Sequence, residues 1–380
     1  MSDVAPALPG YMVALSPILE DVVEPAAAEV DRTGTYPRAA LDALGAAGLL
    51  GLVSAAEVGG QGEGPRAATA VVQALAEHCG STAMVVMMHY AGTAVIEAFG
   101  PTDVRERIAA GEYVTTLAFS EAGSRSMFWA PMSSAVLGGD NVRLDAEKSW
   151  VTSAGEADGY VWSSRPLAAE GASTLWLVPG DAPGLKVGAP FDGLGLRGNS
   201  SSPMSAAGTE VPAAAMLGAD GGGFDAMLGV VLPWFQVMNA GFSIGTANAA
   251  TVKAAMHAGG TRFEHLDEVV ADNPVPRANV ARMRIFTDAA EALLLDTLTA
   301  METGRADATL RVLEVKAFAS ETAIDVTDLA MRVCGGAAFR KEVGVERHFR
   351  DARAASVMAP TTDALYDFVG RIACGLPLFS

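Results

Sequence analysis

Apolar residues recur at helical spacing through the first third of the chain, alternate with polar ones in the middle, and return to helical spacing in the last third. Ile18, Val22, Ala26 and Val30 share one face behind Ser16-Pro17, a pair that predicts an N-cap with proline at the first helical position. Further helices are predicted over roughly 38–50, ending near Gly48, over Ala67 to Glu77, and over Ser81 to Phe99, with Ser81 as cap and Gly100-Pro101 as stop. From about 114 to 220 the period is that of strands. Val136-Leu137, the turn Gly138-Gly139-Asp140-Asn141 and Val142-Arg143-Leu144 predict a hairpin, and Tyr160-Val161-Trp162 and Leu175 to Val178 two more strands. Beyond Gly221, Met283, Phe286, Ala290, Leu293, Thr297 and Met301 lie on one face of a long helix, and Val312 to Cys334 forms another. The expected organisation is therefore α+β in three parts: a helical domain over 1–113, a small β-barrel or sandwich over 114–220, and a helical bundle over 221–380.

With 380 residues, half of them hydrophobic, the chain can bury a large core. A net charge of −18 argues against nucleic acid, so an anionic substrate would need a local arginine cluster. Cys79, Cys334 and Cys374 are too few and scattered for a disulfide framework or a metal site, and read as small buried hydrophobes in a reducing compartment. No signal-like segment opens the chain and no apolar run reaches membrane-spanning length, so a soluble cytoplasmic protein is expected.

Three stretches carry candidate chemistry. Thr116 to Ser124, TLAFSEAGS, ends a strand in a polar loop whose Ser120 and Ser124 offer donors. Lys148 to Ala154, KSWVTSA, places Trp150 and Thr152 on a second strand. Met331 to Thr362 runs from a helix into Gly335-Gly336, then Arg350-Asp351, then Met358-Ala359-Pro360-Thr361. Gly193 to Gly198 matches G-x-G-x-x-G letter for letter, but Asn199 to Pro203 follows instead of a helix, so it reads as a structural turn.

Together these segments resemble the acyl-CoA dehydrogenase superfamily, whose helix–strand–helix order matches nearly the whole chain. The resemblance implies FAD as cofactor, bound through Leu117, Phe119, Ser120, Gly123, Ser124, Trp150 and Thr152 on the β domain. It further implies cofactor contacts from Arg262, Arg332, Gly335, Gly336 and Thr361, some of them across a subunit interface, and hence a homo-oligomer. Arg125, Ser126, Phe128 and Trp129 follow the flavin loop and are candidate substrate-pocket residues, with packing as the alternative account of the aromatic pair. Arg125, Arg197 and Arg340 are the candidates for an anion patch.

In that family a glutamate in the last turn removes the substrate α-proton. Ala359 stands at its position, and the alternative position, near Phe235-Gln236, is not acidic either. Asp363, one helical turn beyond Ala359, is a candidate base, or else a helix-start carboxylate. His89 lies on a helix that borders the flavin in relatives, and is a candidate catalytic residue or a satisfied core histidine. The expected activity is oxygenation of an acyl thioester or small aromatic substrate, with a flavin reductase as possible partner. A dehydrogenase with a relocated base and a non-catalytic partner subunit remain open.

Overall fold

The computed structural model describes residues 8–124 and 127–378. Its N-terminal lobe is helical: α1 Gly10–Ile18, α2 Glu24–Thr33, α3 Arg38–Ala46, α4 Pro65–His78, α5 Gly80–Phe99 and α6 Thr102–Ala109. Ser16-Pro17 does not start a helix. Pro17 sits inside α1, and a π-helical turn, Leu19–Val23, links α1 to α2. Proline lacks the N–H that α-helical pairing needs, and a wider turn just beyond it absorbs the mismatch. Ser81 is not the cap of α5 either, since its hydroxyl accepts the Gly198 N–H at 3.1 Å.

Eight strands follow: β1 Thr115–Ala118, β2 Ser134–Gly138, β3 Asn141–Val151, β4 Gly159–Ser164, β5 Thr174–Pro179, β6 Leu185–Val187, β7 Ser202–Pro212 and β8 Met216–Leu217. They form two four-stranded sheets, ordered β1-β4-β5-β8 and β2-β3-β7-β6. The hairpin turn uses Gly139 at φ +66°, a conformation that favours glycine. Trp162 of β4 and Trp176 of β5 pair directly across the ladder and are both fully buried. Between Lys148 and Val151 the β3–β7 register breaks, and Trp150, at φ +57°, turns out of the sheet.

The third part opens with α7 Gly223–Ala226 and a π-helical turn, Met227–Val231, and continues through α8 Leu232–Gly260. A two-residue ribbon, β9 Arg262–Phe263 with β10 Glu268–Val269, precedes α9 Pro274–Glu302, α10 Ala308–Cys334, α11 Val345–Val357 and α12 Thr362–Ala373. Small residues let these helices pack closely: Ala247, Ala250, Ala254 and Ala258 of α8 meet Ala323 and Ala330 of α10 in one cluster. The helical faces read from sequence hold except at Phe286 and Ala26, which are exposed; from the end of the π-turn the buried apolar positions are Val23, Ala27 and Val30, and Cys374 is exposed where burial was expected. The length expectation also needs correction. Gly80–Phe99 and Gly223–Gly260 are long and apolar enough to cross a membrane, yet 83% and 72% of their apolar windows are buried inside the protein, as in core helices.

The Gly193–Gly198 stretch is indeed a turn, and its glycines serve close packing. A Cβ on Gly195 would meet the Arg350 carbonyl carbon at 2.7 Å, and one on Gly198 would meet Val30 at 2.2 Å. Asp351 fixes this approach by accepting the Leu196 N–H at 2.7 Å. A similar constraint joins α4 to α8, where a Cβ on Gly245 would fall 2.2 Å from the Gln73 carbonyl oxygen. Gly245→Ala is therefore expected to cost roughly 1–3 kcal/mol, the usual penalty of overpacking, read as a lower urea midpoint. Gly229→Ala is the control, because a Cβ there meets nothing within 4 Å. Equal midpoints for the two variants would refute the close-packing account.

Candidate active site

The two β-domain segments singled out in the sequence lie side by side. Glu121 and Lys148 form an antiparallel bridge, and the Ser149 N–H donates to the Ser120 carbonyl at 2.9 Å. At the bridge sits a buried ion pair. The fully buried Lys148 Nζ donates to Glu121 Oε1 at 2.6 Å, to the Ser163 carbonyl at 2.8 Å and to the Ser163 hydroxyl at 2.9 Å. Glu121 also accepts the Met132 and Ser133 N–H groups at 2.6 and 3.1 Å and the Ser133 hydroxyl at 2.7 Å. One carboxylate thus ties both ends of the loop 121–133 to β3. Burial pushes its carboxyl up, but Lys148 and these donors outweigh burial and hold it below the usual range. Burial pulls Lys148 down to about 8 against the hold of Glu121, so the pair is ionised at neutral pH.

Around this lock the candidate cofactor residues divide into two kinds. Leu117, paired with Val161 of β4, and Phe119 bury their side chains in the core. Ser120 is half-buried, the Ser124 hydroxyl donates to the Glu121 carbonyl at 3.4 Å, and a Cβ on Gly123 would meet Met132 at 2.3 Å. Trp150 is 61% exposed and stacks on Phe191 at 4.0 Å between centroids. Thr152 is buried beyond the bulge, and the buried Thr116 hydroxyl has no partner. A large apolar ring left open beside polar loop atoms and an orphaned hydroxyl suits a flat, polar-edged ring system such as a flavin. Arg125 and Ser126 lie outside the described residues.

The remaining cofactor candidates sit on the surface of the helical bundle. Arg262 pairs with Asp267. Arg332, Gly335 and Gly336 are exposed at the end of α10, and a Cβ on either glycine meets nothing within 4 Å. No hydrogen bond joins these four to the β1 and β3 segments among the described residues. Of the anion-patch candidates among the described residues, Arg197 binds Asp192 and the Asp31 carbonyl, and Arg340 pairs with Glu342.

The last turn forms a second focus. Fully buried Lys316 of α10 donates to the Met358 and Pro360 carbonyls at 2.8 and 2.6 Å, so its ammonium brackets half-buried Ala359. Ser320, one helical turn on, shares a 3.0 Å hydrogen bond with Thr362, and Thr361 caps α12 by accepting the Ala364 N–H at 3.3 Å. Asn239 of α8 reaches Met358 Sδ at 3.5 Å. Phe128 packs edge-on against Trp129 at 5.1 Å, and Trp129 lies 6.5 Å from Phe368, so the loop 121–133 and α12 share an aromatic contact.

Two catalytic candidates fit poorly. Both nitrogens of fully buried His89 serve the backbone, Nε2 with the Leu50 carbonyl at 2.9 Å and Nδ1 accepting the Thr115 N–H at 3.2 Å. Burial holds it down at about 4, so His89 is neutral and fastens α5 to β1, which favours the satisfied core histidine of the two readings. Asp363 is exposed on the first turn of α12, where the helix dipole favours a carboxylate. Nor is any acid present from 352 to 362.

Sequence reading missed Lys316, because a lone lysine in a helix ordinarily marks a solvated face. Its one signal was position, between Val315 and Ala317 in an otherwise apolar stretch. Burial pulls its ammonium down to about 7, below the ordinary 10.5. Between those values the unfolded chain holds a proton that the fold does not, so stability rises with pH across that window. Lys316→Met should remove this contribution. Urea midpoints at several pH values should then show a wild-type-minus-variant difference that climbs between about 7 and 10.5 and is flat below, whereas parallel curves would exclude the buried charge.

Comparison with known proteins places this geometry. Models of the N-terminal, middle and C-terminal domains of acyl-CoA dehydrogenase match residues 14–111, 116–208 and 221–373. The chain is 30% identical over 362 residues to cyclohex-1-ene-1-carbonyl-CoA dehydrogenase of Geobacter metallireducens, covering 92% of this chain and 93% of that protein. Butyryl-CoA dehydrogenase of Megasphaera elsdenii superposes with a TM-score of 0.89 at 21% identity, over 97% of this chain and 99% of that one. A prolyl acyl carrier protein oxidase, AnaB, superposes with a TM-score of 0.86 at 18% identity, over 97% and 100% of the two chains. The chain belongs to the acyl-CoA dehydrogenase family, whose members are FAD-binding flavoproteins, and is an FAD-dependent oxidoreductase.

Proposed function

We propose that this protein oxygenates an acyl thioester in a flavin-dependent reaction instead of removing hydrogen across its α and β carbons. The observation that carries this reading is Ala359 in the last turn, with no acid from 352 to 362 and Asp363 exposed on α12. α,β-Dehydrogenation needs a base for the α-proton, a contribution of roughly 10²–10⁴ in rate. Oxygenation has no such requirement. FAD supplies the two-electron chemistry when bound. One atom of O₂ enters the substrate and the other leaves as water with two solvent protons, and an external donor such as a flavin reductase provides the two electrons.

The chain's own residues organise the site. Lys148 and Glu121 hold the loop over the cofactor edge, Trp150 and Phe191 offer a stacking wall, and Lys316 fixes the turn that faces the substrate. The fold is also that of a protein described as a prolyl acyl carrier protein oxidase, so it is not confined to proteins named as acyl-CoA dehydrogenases. Exposed apolar side chains on the bundle, among them Met256 and Phe339, support assembly into a homo-oligomer in which Arg262, Arg332, Gly335 and Gly336 serve a neighbouring subunit's cofactor. A cytoplasmic location is part of the same proposal.

The test is turnover of the reduced holoprotein with acyl thioesters under ¹⁸O₂, followed by mass spectrometry of the product. One labelled oxygen atom is expected. An unlabelled α,β-unsaturated product would overturn the reading and favour dehydrogenation, the activity named for the Geobacter relative. In that event Asp363→Asn, with turnover lost or kept, would decide whether Asp363 is the base.

A further inference from the structure

We propose that Gln236 and Asn239 of α8 select acyl groups bearing a hydroxyl over plain alkyl chains. Both side chains are fully buried, yet Gln236 Oε1 and Nε2 and Asn239 Oδ1 have no hydrogen-bond partner. Buried amide atoms are nearly always paired, because an unpaired one forfeits its hydration with no return. Three of them on one helical turn therefore point to a ligand.

Their direction follows from the helix. Leu232 packs with Leu313, Ala317 and Leu365, where α10 meets α12. Asn239 touches Met358. Gln236 lies four residues after the first and three before the second, which puts it on the face of α8 that meets the Met358–Thr361 turn. An alkyl chain there would leave all three atoms unpaired. A carboxylate would bring a net charge to a place where Lys316 is already committed to the Met358 and Pro360 carbonyls. A hydroxyl is neutral and both donates and accepts, as an amide pair requires.

This inference rests on the turn being a thioester site, and a binding measurement separates the two. The FAD-loaded protein is titrated anaerobically with butyryl-CoA and with 3-hydroxybutyryl-CoA, and dissociation constants are read from perturbation of the flavin absorbance. The hydroxylated thioester is expected to bind at least about tenfold tighter, the yield of one hydrogen bond to a buried partner. Gln236→Leu should erase that ratio by weakening only the hydroxylated ligand, and should not lower the melting temperature, since it removes unpaired atoms. Equal wild-type affinities, or a preference kept in Gln236→Leu, would overturn the inference while leaving the thioester site in place. A flavin unperturbed by either ligand would remove the thioester reading and this inference with it.

Discussion

Lys148→Met is expected to destabilise the holoprotein by roughly 3–5 kcal/mol, the cost of leaving one partner of a buried ion pair uncompensated, and to release most of its flavin. Glu121 is 4% exposed and receives Lys148, two backbone N–H groups and the Ser133 hydroxyl. Without the ammonium, a carboxylate still bound by three donors must stay charged in a buried site or take up a proton. Either way the loop 121–133 loses its side-chain tie to β3 and is held there only by the backbone bridge at Glu121 and the Ser149 N–H, which loosens Gly123 and Ser124 beside Trp150. Two readouts are needed: urea unfolding for stability, and the ratio of flavin to protein absorbance after gel filtration for retention. The double variant Lys148→Met with Glu121→Leu should recover part of the stability, because buried pairs exchanged for apolar residues of similar volume are often neutral. It should not recover flavin retention if the loop needs the carboxylate's donors. A loss under about 1 kcal/mol for Lys148→Met would mean that the pair is solvated, as surface pairs are.

That lock shows how far the sequence was readable. The three-part architecture was legible because it is written in period: the change from 3.6 to 2 and back is a property of many residues at once, and no single exception disturbs it. Single-residue readings failed where tertiary contacts reassign a side chain. Ser81 has the chemistry of a cap, but the turn at Gly198 claims its hydroxyl. Pro17 marks a helix start by local rules, yet helix continues around it through a π-turn. His89 could not be sorted from sequence, since only the positions of Leu50 and Thr115, 39 and 26 residues away, show both of its nitrogens occupied. Lys148 belongs to a legible strand motif, but its partner is not legible, because Glu121 lies 27 residues earlier and nothing local links them. The pairing at the last turn was hidden in the same way, with Lys316 some 42 residues before Met358.

Ala359→Glu is expected to confer the chemistry that the parent lacks. The substitution places a carboxylate on a turn whose two flanking carbonyls are held by Lys316, and an ammonium so close favours the ionised form that a general base must have. In α,β-dehydrogenation the α-proton would pass to that carboxylate and the β-hydride to the flavin, so electrons reach the cofactor without a reductase. Anaerobic butyryl-CoA should therefore bleach the flavin of Ala359→Glu at least 10²–10⁴ times faster than that of the parent, following the usual worth of a positioned general base. Adding Lys316→Met should slow the bleaching again and move its pH dependence upward, since the carboxylate loses the charge that keeps it ionised. A parent protein that bleaches as fast as Ala359→Glu would show that a base is already present outside the last turn, and would end the oxygenation proposal's claim on Ala359. A variant that binds flavin and thioester but never bleaches would show that the turn does not face the α-carbon, and that the residue at 359 has no bearing on which reaction this fold performs here.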